Sequence, residues 1–202
     1  MDNLTLYEKN IQDRSAFRYL LGLLARWKQN FKYVRARKIA RKRGATIGEG
    51  VIMPLSLARK ANKNLVIGNH VSIHTDNFSS LRYPIEIGNH VIIGSNVKFV
   101  MGSHNIDSPE WEHYRPNPKL VIEDYVWLCP DSVILPSVRN IGYGAVLGAN
   151  SVLAKNLECM SVAAGNPAKE IKKRKCVHSN LVVESLLGGD YEIYKRTRKA
   201  KK

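Results

Sequence analysis

The chain has 202 residues, enough for one domain with appendages, and its 32 Lys and Arg outweigh 17 Asp and Glu to leave a net charge of +15. Three cysteines, Cys129, Cys159 and Cys176, with no CxxC pair, exclude a disulfide framework and a cysteine zinc site. The longest apolar stretch, Tyr19 to Ala25, is far too short to span a bilayer, and the start Met-Asp-Asn-Leu is no signal peptide; a cytoplasmic protein is expected, peripheral to the membrane at most.

Residues 1–45 read as a basic amphipathic helical segment. Phe17, Leu20, Leu21, Leu24, Trp27, Phe31 and Val34 recur at steps of three and four and make one apolar face. Arg14, Arg18, Arg26, Lys28, Lys32 and Arg35 occupy the other. Two roles fit: a cap whose apolar face packs on the rest of the protein or on a neighbouring chain, or an interfacial helix on anionic lipid. From Arg14 to Arg43 there are eleven Lys or Arg and no acid; Lys169 to Lys175 adds five and Lys195 to Lys202 six. The excess charge therefore belongs to the appendages, and it points to a polyanionic surface; an anionic membrane is the expected partner, nucleic acid is not.

From residue 46 to 160 an aliphatic or aromatic residue returns mostly every six positions: Ile67, Ile73, Leu81, Ile87, Ile93 and Phe99, then Ile122, Leu128, Ile134, Ile141, Leu147 and Leu153. Two residues are inserted before Leu81 and one before Ile141. A second apolar or small residue sits four places after most of these, as in Val71, Val91, Val97, Val126, Ser132, Val138, Ala145 and Ser151. Six is neither a helical period nor a plain strand period. It is the signature of a β-helix, in which each hexapeptide is one short strand plus a turn and three hexapeptides close one triangular coil. About five to six coils are expected. His70 and His90 share one place in Ile-Gly-Asn-His repeats and read as outward-facing turn residues. Residues 53–65, with Pro54 and a Lys/Asn cluster, read as a loop or irregular coil.

The main interruption is residues 100–118. Gly102, Pro109, Pro116 and Pro118 argue against regular structure there. The same segment holds His104, Asp107, Glu110, Trp111, Glu112, His113, Tyr114 and Arg115. A polar and aromatic loop ejected from a regular solenoid is where function sits. Residues 161–202 read as a basic turn, then a helix or strand, and a mobile tail beyond Tyr194.

Three features now combine: the repeat, the segment Gly102-Ser103-His104-Asn105, and the stretch Ile122 to Lys173 with Val126-Trp127 and Ala164-Gly165-Asn166-Pro167-Ala168-Lys169. Together they resemble the hexapeptide-repeat acyltransferases, closest to the galactoside, maltose and polysaccharide O-acetyltransferases, over residues 45–173. The resemblance implies a mainly β fold, a left-handed parallel β-helix. It implies a homotrimer with active sites in the clefts between neighbouring prisms, acetyl-CoA as acyl donor, a sugar or glycan acceptor, and no metal. His104 matches the family's catalytic His. A sugar hydroxyl is a poor nucleophile, and a neutral imidazole can take its proton as the oxygen attacks the thioester carbonyl. A backbone N–H would stabilise the tetrahedral oxyanion.

By the same resemblance His74, Asp76 and Asn77 fall on the acceptor strand, with His74 in place of the usual Asn. Trp127 walls the site, and His113 is a further candidate for an acceptor contact. Donor contacts fall on Ala149 and Ala154, small enough for a pantetheine arm to lie against backbone, and on Lys155 and Lys172, which would meet phosphate oxygens. Cys129-Pro130 departs from the family's small pair, and Pro130 lacks an N–H. The expected function is transfer of an acetyl group to a sugar hydroxyl in surface polysaccharide biosynthesis. N-acetylation of a nucleotide-linked amino sugar would use the same base. A zinc carbonic anhydrase on the same fold needs three His at one metal, and no His-x4-His pair follows in the resumed repeats. A bare scaffold would need neither the His104 loop nor the Ala164–Lys169 signature.

Overall fold

A computed structural model describes residues 5–114 and 119–199. The expectations placed on Arg115, Pro116 and Pro118, and on residues 200–202, lie outside these. The amino-terminal segment is two helices rather than one. Helix α1, Leu6–Gln12, starts at a capping box in which Thr5 and Glu8 satisfy each other's backbone N–H. Helix α2, Ala16–Lys42, restarts behind Ser15, whose hydroxyl accepts from the Arg18 N–H.

The hexapeptides build three parallel sheets that the chain visits in strict rotation. The first side stacks Thr46–Ile47, Leu65–Ile67, Ile85–Ile87, Leu120–Ile122 and Asn140–Ile141. The second stacks Ser72–Ile73, Ile92–Ile93, Trp127–Leu128, Val146–Leu147 and Ser161–Gly165. The third stacks Lys98–Phe99, Val133–Ile134 and Val152–Leu153. The periodic residues pair with one another in register: Ile47, Ile67, Ile87, Ile122 and Ile141 form one column. Ile73, Ile93, Leu128 and Leu147 form the next. Both columns are buried, as are Val71, Val91, Val97, Val126, Ser132, Val138, Ala145 and Ser151. The core is thus a stack of layers, each held only by its neighbours. One register differs from expectation. The third side of the early coil is taken by Phe78, which bridges to Phe99 and stacks its ring 4.4 Å away, and Leu81 is only a buried residue of the connection. An aromatic pair fills the corner that the two-residue insertion widens.

The corners explain the residues that follow each aliphatic. Gly50, His70, His90, Tyr125, Gly144 and Met160 all take the left-handed conformation, with φ between 55° and 66°. So do Asn96, Asp131 and Asn150 at the next corner, residue types that tolerate it well.

The coil's open start is capped by arginines of α2. Arg37 donates to the Val51 carbonyl at 2.9 Å, Arg41 to those of Ile47 and Gly48, and Arg43 to that of Ala61. The carbonyls of Ile47, Gly48 and Val51 belong to the first coil, whose edge would otherwise be bare, and that of Ala61 ends the helix Leu55–Lys60. Residues 53–65 are not irregular throughout: behind Pro54 a short helix α3, Leu55–Lys60, buries Leu57 and Ala58 against α2. At the far end Ser161–Gly165 turns back on Ala168–Lys173 as an antiparallel hairpin. The stretch expected to be a mobile tail is helical: α4, Tyr191–Lys199, buries Tyr194 and Thr197 against α1 and α2. Tyr194 stacks on Tyr19 at 5.0 Å, and Arg26 reaches both carboxylate oxygens of the buried Asp190 at 2.9 and 3.0 Å. Burial pushes the Asp190 carboxyl up to about 6, against the pull of its own backbone N–H. The guanidinium on both oxygens also favours the charged form, so the pair is ionised at neutral pH.

Candidate active site

The ejected segment has regular structure where none was expected. Ser103–His104 pairs antiparallel with His113–Tyr114, and His104 stands opposite His113. The connection closes on itself: the Asn105 N–H donates to the Glu112 carbonyl at 2.9 Å, and the Ser108 hydroxyl donates to the Glu112 carboxylate. Trp111 sits at φ 48°, and its carbonyl lies 2.5 Å from His104 Nδ1. A carbonyl can only accept, so Nδ1 carries a proton, and in the neutral ring Nε2 keeps its lone pair. His104 is exposed, with its ring 4.4 Å from that of His113. Among the described residues nothing bonds Nε2, so the fold presents an oriented imidazole to solvent.

A second feature lies on the second side. His74 and Trp127, far apart in sequence, line one cavity of about 400 Å³. Ile92, Tyr125 and Pro130 continue its wall on the coil, and Leu181 and Leu186 close it from outside. His74 Nε2 lies 2.8 Å from the Ser72 hydroxyl, and burial pushes its pKa down, so the ring is neutral at neutral pH. Neither His104 nor His113 lines this cavity.

The carboxy-terminal strap that forms the outer wall left no trace in the sequence pattern. Its 3-10 turn, Val183–Leu187, packs beside Ser72–Ile73. Buried Glu184 meets His70 Nδ1 at 2.5 Å. His70 and His90 are turn residues as expected, but they are also links in a ring column: His70 on His90 at 5.1 Å, His90 on Tyr125 at 4.9 Å. His90, His178 and Arg174 join the cavity lining, and the sequence reading named none of them for the site. Arg174 is held there by the carbonyls of Tyr125 and Gly144, both at 3.1 Å.

Asp76 and Asn77 sit elsewhere. Asp76 pairs with Lys60 at 3.4 Å, and hydrogen bonding from Ser56, with Lys60 beside it, holds its carboxyl below the usual range. Asn77 bonds Asn96, which bonds Asp131, in a ladder up one corner of the coil. Neither lines the cavity that holds His74.

Ala149 is exposed and Ala154 half-buried, at successive turns of the last coil. Lys155 and Lys172 are exposed, and among the described residues neither forms an ion pair. Ala154 and Lys155 are chain neighbours, and a small side chain next to an exposed cation suits a thin amide-bearing arm that ends in phosphates. Cys129-Pro130 keeps its place in the coil, the Cys129 N–H donating to the Leu147 carbonyl at 2.9 Å. Pro130 stacks against Gly94, where any Cβ would come within 2.7 Å of the Pro130 nitrogen, and its carbonyl accepts from the Asn150 N–H. Burial pushes the Cys129 thiol up, away from reactivity.

No family model matches this chain. Among curated proteins it is 33% identical over 132 residues to WcaF of Escherichia coli, an acetyltransferase assigned to colanic acid biosynthesis, covering 65% of this chain and 70% of that one. It is 33% identical over 141 residues to the galactoside O-acetyltransferase of Lactococcus lactis, covering 68% and 66%. It spans only 50% and 43% of the length of two further acetyltransferases that it matches. A hexapeptide-repeat acetyltransferase of Vibrio cholerae has a similar fold, with a TM-score of 0.50 at 19% identity over 85% of this chain and 95% of that one. With three parallel sheets built on a period of six and this identity over most of WcaF, the chain belongs to the hexapeptide-repeat acetyltransferases.

Proposed function

We propose that the protein transfers an acetyl group from acetyl-CoA to a sugar hydroxyl, with His104 as general base. The observation that carries this reading is the 2.5 Å contact between His104 Nδ1 and the Trp111 carbonyl, which leaves Nε2 as the acceptor. In the reaction Nε2 takes the hydroxyl proton as the sugar oxygen bonds to the thioester carbonyl carbon. The tetrahedral oxyanion then collapses, the carbon–sulfur bond breaks, and the imidazolium returns its proton to the departing thiolate. Sugar ester and free thiol leave, and the base is restored. No acyl-enzyme is required, because both substrates are held together. His113, beside His104, is the further acceptor contact on the loop.

Ala149 and Ala154 would flank the donor arm, and Lys155 and Lys172 its phosphates. The acceptor belongs in the cavity of His74 and Trp127, in a protein of surface polysaccharide biosynthesis as the WcaF likeness supports. His104 and that cavity rise from different sides of one coil, so the complete site joins the loop of one chain to the cavity of the next, in a homotrimer of left-handed coils. Asp76 and Asn77 then position the corner next to His74. The test is His104→Ala. Acetyl transfer to a galactoside or oligosaccharide acceptor should fall by about 10² to 10⁴ while acetyl-CoA binding by calorimetry is retained. Unchanged turnover would remove His104 from the mechanism.

A further inference from the structure

Helix α2 uses its two faces differently. One face packs inward: Tyr19 on Tyr194, Arg26 on Asp190, and Tyr33, Ala36 and Ala40 buried. The opposite face carries Phe17, Leu20, Leu21, Leu24, Trp27 and Phe31, each between 52% and 70% exposed. Nothing among the described residues covers this stripe, so of the covers expected for it a neighbouring chain and a lipid surface remain. Six large apolar side chains at helical spacing on one outward face form a patch that a free aqueous protein rarely presents.

The charge around the stripe narrows what covers it. The inward arginines are occupied: Arg26 by Asp190, and Arg37, Arg41 and Arg43 by backbone carbonyls. Arg18, Lys28, Lys32, Arg35 and Lys38 are exposed, and their side chains make no bond among the described residues. No acid occurs between Arg14 and Arg43 to answer them. A second copy docked stripe to stripe would bring two such cationic margins together. A lipid surface offers phosphates at the margin and acyl chains beneath it. No helix among the described residues is long and apolar enough to cross a membrane, so α2 would lie in the interface rather than span it.

We propose that α2 is a docking surface for a membrane with anionic headgroups, its apolar stripe inserted at the acyl boundary and Lys28, Lys32 and Arg35 among the phosphates. Long basic side chains beside an apolar stripe suit this placement, since their stems lie on hydrocarbon while their ends stay wet. The proposal is independent of the acetyl transfer reaction.

The test is co-sedimentation of the full-length protein with phosphatidylcholine vesicles that contain phosphatidylglycerol, and with phosphatidylcholine alone. The wild type should bind the anionic vesicles about ten-fold or more tightly than the neutral ones. Leu20→Ser/Leu24→Ser/Phe31→Ser should lose that binding with its melting temperature and mass unchanged, since these side chains lie outside the buried core. Lys28→Gln/Lys32→Gln/Arg35→Gln should weaken it by about a hundred-fold at low salt. A wild type that stays in the supernatant, or a triple serine variant that still sediments, would overturn the proposal. A wild-type mass that drops to a smaller oligomer in the serine variant would overturn it too, and would assign the stripe to a second copy.

Discussion

Arg26 and Asp190 join the two ends of the chain through one ion pair, 164 residues apart in sequence, with the Asp190 side chain fully buried. Removing the cation alone leaves a carboxylate in the interior with only its own backbone N–H. Arg26→Ala should therefore cost about 3 to 5 kcal/mol in urea unfolding, while Asp190→Asn, which removes the buried charge, should cost less. The reverse order would mean that the pair is solvated and contributes little.

If the site is shared between chains, lesions in different chains should complement. Chains carrying His104→Ala lack the base; chains carrying Trp127→Ala lack the cavity wall. Each homo-oligomer should be inactive. Co-expressed in equal amounts, they should form mixed oligomers in which about a quarter of the clefts have both parts intact. Recovery of that fraction of the wild-type rate supports the shared site, and no recovery places loop and cavity in one chain.

Glycine in the Ile-Gly-Asn-His repeat is a packing requirement at Gly88. A Cβ there would meet the Asp124 nitrogen at 2.8 Å and its carboxylate even closer. Gly88→Ala should thus be destabilising by about 1 to 3 kcal/mol, as overpacked sites are. Gly102, at the root of the His104 hairpin, has nothing within 4 Å of the same position. Gly102→Ala should leave the melting temperature unchanged, and an equal loss at both glycines would refute the distinction.

Burial lowers the pKa of His74 in the folded state. Below an ordinary value of about 6.5 the unfolded chain takes up a proton that folded His74 refuses. Its contribution to stability is therefore fully present above that pH and declines as the pH falls through it. His74→Asn removes the titrating group. Wild type should lose melting temperature relative to this variant between pH 7.5 and 5.5, and parallel curves would show that His74 is not desolvated.

The coil was readable because one rule acts locally: every sixth side chain must fill a layer, so Ile67, Ile87 and Ile122 mark their own stacking partners. The ejected segment that carries His104 was readable for a similar reason, since breaking the rule leaves a visible gap. What the sequence concealed depends on contacts without a period. Glu184 meets His70 across 114 residues, and the strap that walls the cavity with Leu181 and Leu186 has no repeat to announce it. Phe78 displaced Leu81 because the inserted residues let an aromatic pair with Phe99. The apolar spacing of α2 revealed a stripe but not its direction. The buried side is set by Tyr19, Tyr33, Ala36 and Ala40 packing on their neighbours, and periodicity cannot rank two faces that both carry apolar groups.

Ile87 pairs directly with Ile122, so the first side closes behind the ejected segment as though nothing intervened. The ladder continues from Leu120–Ile122 to Asn140–Ile141 in the same register. The hairpin bearing His104 is therefore a cassette hung on a scaffold that does not need it. If His104 is the base, sequence drift in that cassette would retune or erase the proposed chemistry without touching the stacking that keeps the chain folded. In such an architecture a dead enzyme would look as sound as a living one.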